Sequence, residues 1–485
     1  MQSSVAATLG LQRCVLVTVM LGTGTVSLNN SSFNPAIPQL MQDFQIGEIW
    51  ASWVMVAFLL AMSISLPLAG YWSQRFGKRT TYLAALGCFA FASALGGLFN
   101  QFEAILIARA IQGFCSGLMI PLSLGLIFAV TPSAQRGQTT GLWGAMIMLT
   151  LAIGPLLGAL VLVWLNWQAL FWINIPVAGI ALVLGYLYLP REQPDHTHAF
   201  DWFGFLSLSL SMLMLLLTLS QIQHITDLFK PGHYLWLGLS VLIFYGFLRA
   251  QQRQPQPLFE PSLFAVQGFR FSLMICAAQT IGLFVGMLVV PLWIQHSMQL
   301  SPVWTGIALM SSALLTGLCS QPAGRYLDQY GAAKLMSVGM LITAVAFALM
   351  AWMPIQHVYF VMICMMLHGL GLGLSYMPAT TVGINSLAQH QQHLVTQAAA
   401  VHNLFRRLFA AIAVVIAALY LQLGQDLSLG QDLQFGQDLV LTQSTHVSDS
   451  LRRIQEIFLF CTVLLLAALP YAWRFPDQYK LNNLQ

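Results

Sequence analysis

Fourteen apolar stretches alternate with short polar connectors, at 13–36, 49–70, 80–99, 103–130, 139–164, 168–189, 202–222, 233–250, 270–296, 303–324, 334–353, 356–384, 394–422 and 454–474. Nearly all reach the roughly 20 residues a helix needs to cross a hydrocarbon core of about 30 Å. The runs are continuous rather than alternating at every second position, which predicts helices and not barrel strands. Helices and closed barrels are the two solutions a bilayer allows, because each backbone N–H and C=O must be paired within the protein. The pattern therefore predicts an all-α polytopic membrane protein with about 14 transmembrane helices.

Composition narrows the function classes. Of 485 residues, 58% are hydrophobic and 7% charged, and the mean hydropathy is +0.74, against roughly a quarter charged in soluble domains. The net charge of +4 is dispersed among connectors, which gives no footprint for nucleic acid. Cys14, Cys88, Cys115, Cys276, Cys319, Cys364 and Cys461 all fall in apolar stretches without paired spacing, so they read as small buried side chains rather than a metal or redox site. Arg13 precedes the first stretch and no small-x-small cleavage pattern follows. That stretch is read as a retained helix, not a signal peptide.

An even number of spans puts both termini on one side. Placing them in the cytoplasm makes 13 of the 19 Lys and Arg residues cytoplasmic, leaves Lys230, Arg452 and Arg453 outside, and buries Arg109, Arg406 and Arg407 in helices. The positive-inside rule favours this orientation. Two cytoplasmic turns also repeat: GYWSQRFGKR (Gly70–Arg79) after the second span and GRYLDQYGAAK (Gly324–Lys334) after the tenth. Repetition at equivalent places predicts two related six-helix halves, at 13–190 and 270–474, with 202–250 an inserted helix pair. A smaller repeat, three GQDL hexads within Gly424–Leu441, lies in the expected outer loop at 423–453. One Asp per hexad makes a poor cation cage, so it reads as a duplicated, tolerant loop.

The motifs carry a resemblance. GYWSQRFGKR resembles the cytoplasmic signature of the major facilitator superfamily, and ARAIQG (Ala108–Gly113) resembles its fourth-helix motif with a buried arginine. GLWGAMIMLTLAIGPLLGA (Gly141–Ala159), with Gly154, Pro155 and Gly158, resembles the fifth-helix antiporter motif. Small residues one turn apart allow close backbone approach, and an internal proline bends a helix. WQALFWINIP (Trp167–Pro176) with Gly179, FDWFG (Phe200–Gly204), Pro291 with Gln295, Gly369 with Pro378, and Asn403 with Arg406 extend the likeness collinearly. The family resembled is that of the fourteen-span drug:proton antiporters related to EmrB and QacA. The resemblance implies the major facilitator fold and a non-enzymatic exporter in a bacterial inner membrane. It also implies the proton gradient as energy source with no cofactor, and a periplasmic adaptor as partner beside the small-molecule substrate and the bilayer. It assigns Gly70, Arg75, Gly77, Lys78, Arg79, Arg325 and Asp328 to gating, with Gly154, Pro155 and Gly158 as a hinge.

Three departures shape the candidate site. Where the family carries a membrane-embedded acid in its first helix, LNNSSFNPAIP (Leu28–Pro38) has Asn29, while Asn34 and Pro38 are kept; Gln74 replaces the acid of the first turn, although Asp328 retains it in the second copy; and Ala410 and Ala413 stand for two glycines. Of the fifteen acids none lies clearly at mid-membrane, and Glu103 and Glu456 sit at helix mouths. The ionisable groups at depth are Arg109, Arg406, Arg407, His368 and His402. An embedded cation costs about 2.5–3.5 kcal/mol on insertion scales, so it needs partners or a watery cavity. Two readings stay open: the arginines organise a gate through carbonyls, Asn29 or Gln112, or they make the cavity positive and favour anionic cargo. Histidine is the natural proton carrier where no carboxylate is present, and His402 lies one turn from Arg406. The candidate pathway is thus Asn29, Asn34, Arg109 and Gln112 in the first half and His368, His402, Asn403 and Arg406 in the second. Absence of a GxxxxGK[ST] loop argues against direct ATP drive. Multidrug efflux, export of an anionic metabolite such as a carboxylate siderophore, and a non-transporting sensor or scaffold are the function readings, in that order.

Overall fold

A computed structural model of the chain describes residues 2–132, 136–191, 200–222, 225–254, 258, 260–352, 357–388, 395–435 and 439–476. Among these residues every regular element is helical. The first part contains α1 (Gln2–Ser32), α2 (Ile37–Phe44), α3 (Glu48–Phe76), α4 (Lys78–Leu98), α5 (Phe102–Val130), α6 (Arg136–Trp164), α7 (Ala169–Trp172) and α8 (Asn174–Tyr188). A hairpin of α9 (Trp202–Ser220) and α10 (Pro231–Gln251) follows. The second part contains α11 (Gln267–Pro291), which continues as a π-turn over Leu292–Ser297, then α12 (Pro302–Tyr330), α13 (Ala333–Trp352), α14 (Val358–Ala388), α15 (Val395–Phe435) and α16 (Leu439–Trp473). Thirteen described segments are long and apolar enough to cross a membrane. Helix α1, packed along α5, α6 and α8, adds a fourteenth to the bundle. Side chains such as Val183, Tyr186, Val241 and Leu242 are exposed on its periphery, as expected where lipid is the solvent.

The repeated turns close on their second glycine. Gly77 caps α3 with φ 83° and Gly331 caps α12 with φ 88°, a backbone region that L side chains rarely adopt. Gly70 and Gly324 lie inside the helices and have open space around them, so only the second glycine of each copy makes the turn. Below, the end of the bundle holding Gly77 and Gly331 is called the Gly77 end, and the opposite one the Pro35 end.

The repetition reaches the packing itself. Gly113 of α5 rests on the Phe58 carbonyl of α3, and Gly117 rests on that of Met62. In the second part Gly369 of α14 rests on the Ser312 carbonyl of α12, and Gly373 on that of Thr316. The register is constant within each helix pair: 58 corresponds to 312, 62 to 316 and 77 to 331 on α3 and α12, and 113 to 369 and 117 to 373 on α5 and α14. A side chain at any of the four contact glycines would collide with the neighbouring helix, which is how small residues set helix distance where no hydrophobic drive operates.

Two helix pairs join the parts, α3 on α15 and α6 on α12. At the Pro35 end Gln295 Nε2 donates to the Pro35 carbonyl at 3.0 Å, and the Ile49 N–H donates to Gln422 Oε1 at 3.1 Å. A side chain on Gly306 would meet Leu156 Cα and Ala159 Cβ at 2.8 Å and the Pro155 carbonyl at 2.9 Å. The α9–α10 hairpin lies over the α3–α15 seam. Asp201 caps α9 by accepting from the Gly204 N–H at 2.8 Å and accepts from Gln251 Nε2 of α10 at 2.6 Å. Trp53 Nε1 donates to Ser220 Oγ at 2.6 Å, pinning α9 to α3.

The segment 423–453, expected as an outer loop, is helical apart from 436–438, which lie outside the described residues. Gln and Leu are good helix formers, the hexads contain no proline, and each glycine costs only about 1 kcal/mol in a helix. The two membrane helices therefore run on past the core.

Candidate functional site

The first polar cluster forms where α1, α3, α4 and α5 meet. Arg109 is 1% exposed. Its Nη1 donates to Asn29 Oδ1 at 2.5 Å and to Gln112 Oε1 at 3.2 Å, and its Nε donates to the Val54 carbonyl at 3.0 Å. Phe33 and Phe58 lie over the guanidinium, with ring centroids 4.5 and 4.3 Å from Cζ. Gln112 passes the chain on, donating from Nε2 to Ser93 Oγ at 2.8 Å. The cation is thus surrounded by acceptors and aromatic faces, as a charge at membrane depth requires. The WQALFWINIP segment supports this from behind. Phe171 packs edge-on to Phe33 at 4.7 Å, and Gly96 makes room for its ring.

Asn34, the fourth residue expected in this cluster, is 1% exposed in the short 3-10 turn Asn34–Ala36. Neither its Oδ1 nor its Nδ2 has a partner among the described residues. It sits beside Pro35, the carbonyl that Gln295 reaches from the other part.

The second part does not gather its four candidates. His368 is buried, with Nδ1 2.9 Å from Ser312 Oγ and its ring 5.0 Å from that of Phe347. His402 is buried against Phe269, toward the Gly77 end, and neither ring nitrogen has a described partner. Asn403 is exposed and folds back onto the Ala399 carbonyl at 3.0 Å. Arg406 lies half-buried with Cζ 4.4 Å from the Tyr376 ring centroid. The expectation of one polar heart is corrected: helical spacing put 402 and 406 on one face, but the partners of each come from different helices at different depths.

In the common register, 112 corresponds to 368 and 109 to 365. His368 therefore occupies the place of Gln112, and Met365 that of Arg109. Sequence reading missed this equivalence; the glycines one residue on, Gly113 and Gly369, were the available signal. It also missed a buried amide network in which Gln279 Nε2 donates to Ser375 Oγ at 2.6 Å and to Thr343 Oγ1 at 3.3 Å. Glu48, read as a connector residue, is the buried first residue of α3.

The gating candidates lie within the first part. Arg75 Nη1 donates to Tyr71 Oη at 2.7 Å, Arg79 Nη2 to the Tyr186 carbonyl of α8 at 2.5 Å, and Lys78 lies against Gly125. The side chains of Arg325 and Asp328 fall outside the described set, although the α12 backbone there is described. Gly154 and Gly158 press on Ser31 and the Ser32 carbonyl of α1. Pro155, between them, faces Gly306 of α12. Helix α6 is consequently clamped by its own half on one side and by the other half on the opposite side.

Comparisons with known proteins follow this architecture. The Major Facilitator Superfamily model matches residues 19–414, with a second, overlapping match at 271–482. The multidrug export protein EmrB of Haemophilus influenzae is 26% identical over 82% of this chain and 78% of its own. The tetracenomycin C resistance and export protein of Streptomyces glaucescens is 29% identical over 68% and 61%, and the lincomycin resistance protein LmrB of Listeria monocytogenes is 24% identical over 84% and 87%. Among solved structures, an inward-facing bacterial homolog of the human lysosomal transporter Spinster superposes with TM-score 0.66 at 12% identity, covering 96% of each chain. The xylose transporter XylE from E. coli gives 0.59 at 14%, covering 96% of this chain and all of that one. With the family model spanning most of its length and the fold shared with solved transporters, this multi-pass chain belongs to the major facilitator superfamily of membrane transporters.

Proposed function

We propose that the protein exports toxic small molecules across the cytoplasmic membrane of a bacterium in exchange for protons, with both termini in the cytoplasm. The observation that carries this reading is the seam between the halves. Its described polar contacts at the Pro35 end are two amide hydrogen bonds, set beside a glycine packing and the apolar contacts of Ile37 and Ile49 with the second part, with no described ion pair among them. A hydrogen bond is worth about 0.5–1.5 kcal/mol net, so the polar part of this joint opens at small cost, as rocking-type alternating access demands. The drug-export names of three relatives support efflux as the direction. Arg75, Lys78, Arg79, Arg249, Arg270, Lys334 and Arg474, all at the Gly77 end, support a cytoplasmic assignment for that end. His368 and His402 are the proposed proton carriers, because three of their four ring nitrogens have no described partner. The α15–α16 extension beyond residue 423 is the proposed docking surface for a periplasmic adaptor.

The test is purified protein in liposomes under an imposed pH gradient, with lipophilic cations, neutral drugs and organic anions offered separately. Accumulation of any class that collapses with the gradient supports the reading. Gradient-independent equilibration would remove the proton, and no movement of any class would leave the sensor or scaffold reading.

A further inference from the structure

The two conspicuous arginines at membrane depth are treated in opposite ways. Arg109 spends its donors on three acceptors and both faces on phenylalanines. Arg406 makes no hydrogen bond to a described residue, and its Nε is buried without a partner. Its one described contact of this kind is the face of Tyr376, at 4.4 Å.

Arg406 stands within α15 rather than at its end. At 1.5 Å per residue, its Cα is roughly 16 Å along α15 from Val395, and Tyr376 is roughly 18 Å along α14 from Ala388. Cys276 is the third corner, roughly 14 Å along α11 from Gln267, where its Sγ lies 3.6 Å from the Tyr376 carbonyl and 3.5 Å from Thr380 Oγ1. Three helices thus hold the guanidinium inside the bundle, away from the ends of α11, α14 and α15. Tyr376 is itself fixed, its Oη accepting from Thr280 Oγ1 at 3.4 Å.

Stacking covers a face of a guanidinium and leaves its edge free. That edge is a planar fork of N–H donors matching a carboxylate or similar oxyanion bidentately. The surroundings are electropositive or neutral: Arg407 is half-buried at the next position and His402 is buried one turn before. The described carboxylates, Asp43, Glu48, Glu103, Asp201, Asp227, Glu260 and Glu456, lie at helix ends, in connectors or at the membrane mouth. From this we infer that Arg406, braced by Tyr376, is the recognition group for the acidic function of the cargo, and that the preferred cargo class is organic anions. The inference deepens the export reading and rests on it for the word cargo.

The experiment separates binding from transport. Full-length protein in nanodiscs is dialysed to equilibrium against 2-naphthoate, its methyl ester and tetraphenylphosphonium, with empty nanodiscs subtracted. The acid is expected to bind at least tenfold more tightly than the ester. Arg406→Met should remove that preference, Arg406→Lys should keep part of it, and Tyr376→Phe, which retains the ring, should leave it within about twofold of wild type. Ester binding unchanged in Arg406→Met shows that the variant is folded. Equal binding of acid and ester, or a preference that survives in Arg406→Met, overturns the assignment. The same preparations in liposomes distinguish the two levels of failure. Gradient-driven movement of tetraphenylphosphonium without naphthoate binding keeps export and overturns the anion site. Arg406-dependent naphthoate binding without movement of any compound keeps the site and overturns export.

Discussion

Replacing Arg109 by lysine tests whether this position needs a charge or a shape. Lysine keeps the charge and loses the Nε bond to the Val54 carbonyl, one of the two Nη1 bonds, and the planar stack between Phe33 and Phe58. A hydrogen bond to a charged group is worth about 1.5–3 kcal/mol and each cation–π contact about 0.5–1, more when desolvated. An ammonium recovers only part of this, so Arg109→Lys should lose about 2–4 kcal/mol. Arg109→Met forfeits all three bonds but sheds the cost of an embedded charge, about 2.5–3.5 kcal/mol, and should lose a similar amount. Lysine is therefore expected not to rescue. The assay is unfolding in mixed dodecylmaltoside–SDS micelles followed by tryptophan fluorescence. A double-mutant cycle with Asn29→Ala should give a coupling of about 1.5–3 kcal/mol for the Asn29–Arg109 bond. A lysine variant within 0.5 kcal/mol of wild type, or a coupling below about 0.5 kcal/mol, would refute the view of Arg109 as a shaped lock of α1, α3 and α5.

Gly113→Ala and Gly369→Ala, which drive a methyl into a neighbouring carbonyl, should each destabilise by about 1–3 kcal/mol. Gly286→Ala, in open space, should be neutral or gain up to about 1 kcal/mol, and equal effects at all three would contradict the matched packing. In His368→Gln the side chain that serves at 112 takes the equivalent place; the variant should fold and exchange cargo at equilibrium, yet lose gradient-driven accumulation at least about tenfold if the imidazole carries the proton, and unimpaired accumulation would exclude it. Removing the inter-half bond by Gln295→Ala should raise labelling of an Ala36→Cys reporter by an impermeant maleimide in a cysteine-free background, since Ala36 is now fully buried; unchanged labelling would mean the seam is held elsewhere. Excising residues 430–435 shortens α15 by about 9 Å and should leave transport within about twofold, whereas a large loss would give the GQDL repeats a role in the cycle.

Much of the helical plan was readable because hydropathy and turn chemistry are local. The spans and the two glycine turns at 77 and 331 follow from short windows of sequence. Pairing between helices is not local. A segment apolar all round gives no stripe to say which face meets which neighbour, so a polar residue announces its depth but not its partner. For Arg109 the choice was narrow, with Gln112 three residues away and Asn29 the displaced family acid, and both proved to be its acceptors. The same logic failed for His402 and Arg406. Their shared face is real, but Phe269 covers one and Tyr376 the other. What restores order is the glycine register, since residues flanking Gly113 and Gly369 occupy equivalent places whatever their chemistry. Through it the chain shows an exchange between its halves. The first half holds a cation with three described acceptors at 109 beside a neutral amide at 112. The second has an inert thioether at 365, a titratable ring at 368, and its cation displaced to 406 on a different helix. Two copies of one scaffold have diverged at their centres while keeping the contacts that set helix spacing. On the proposed reading, divergence of that kind makes Arg406 and His368, rather than the more conspicuous Arg109, the positions where specificity and coupling should be sought.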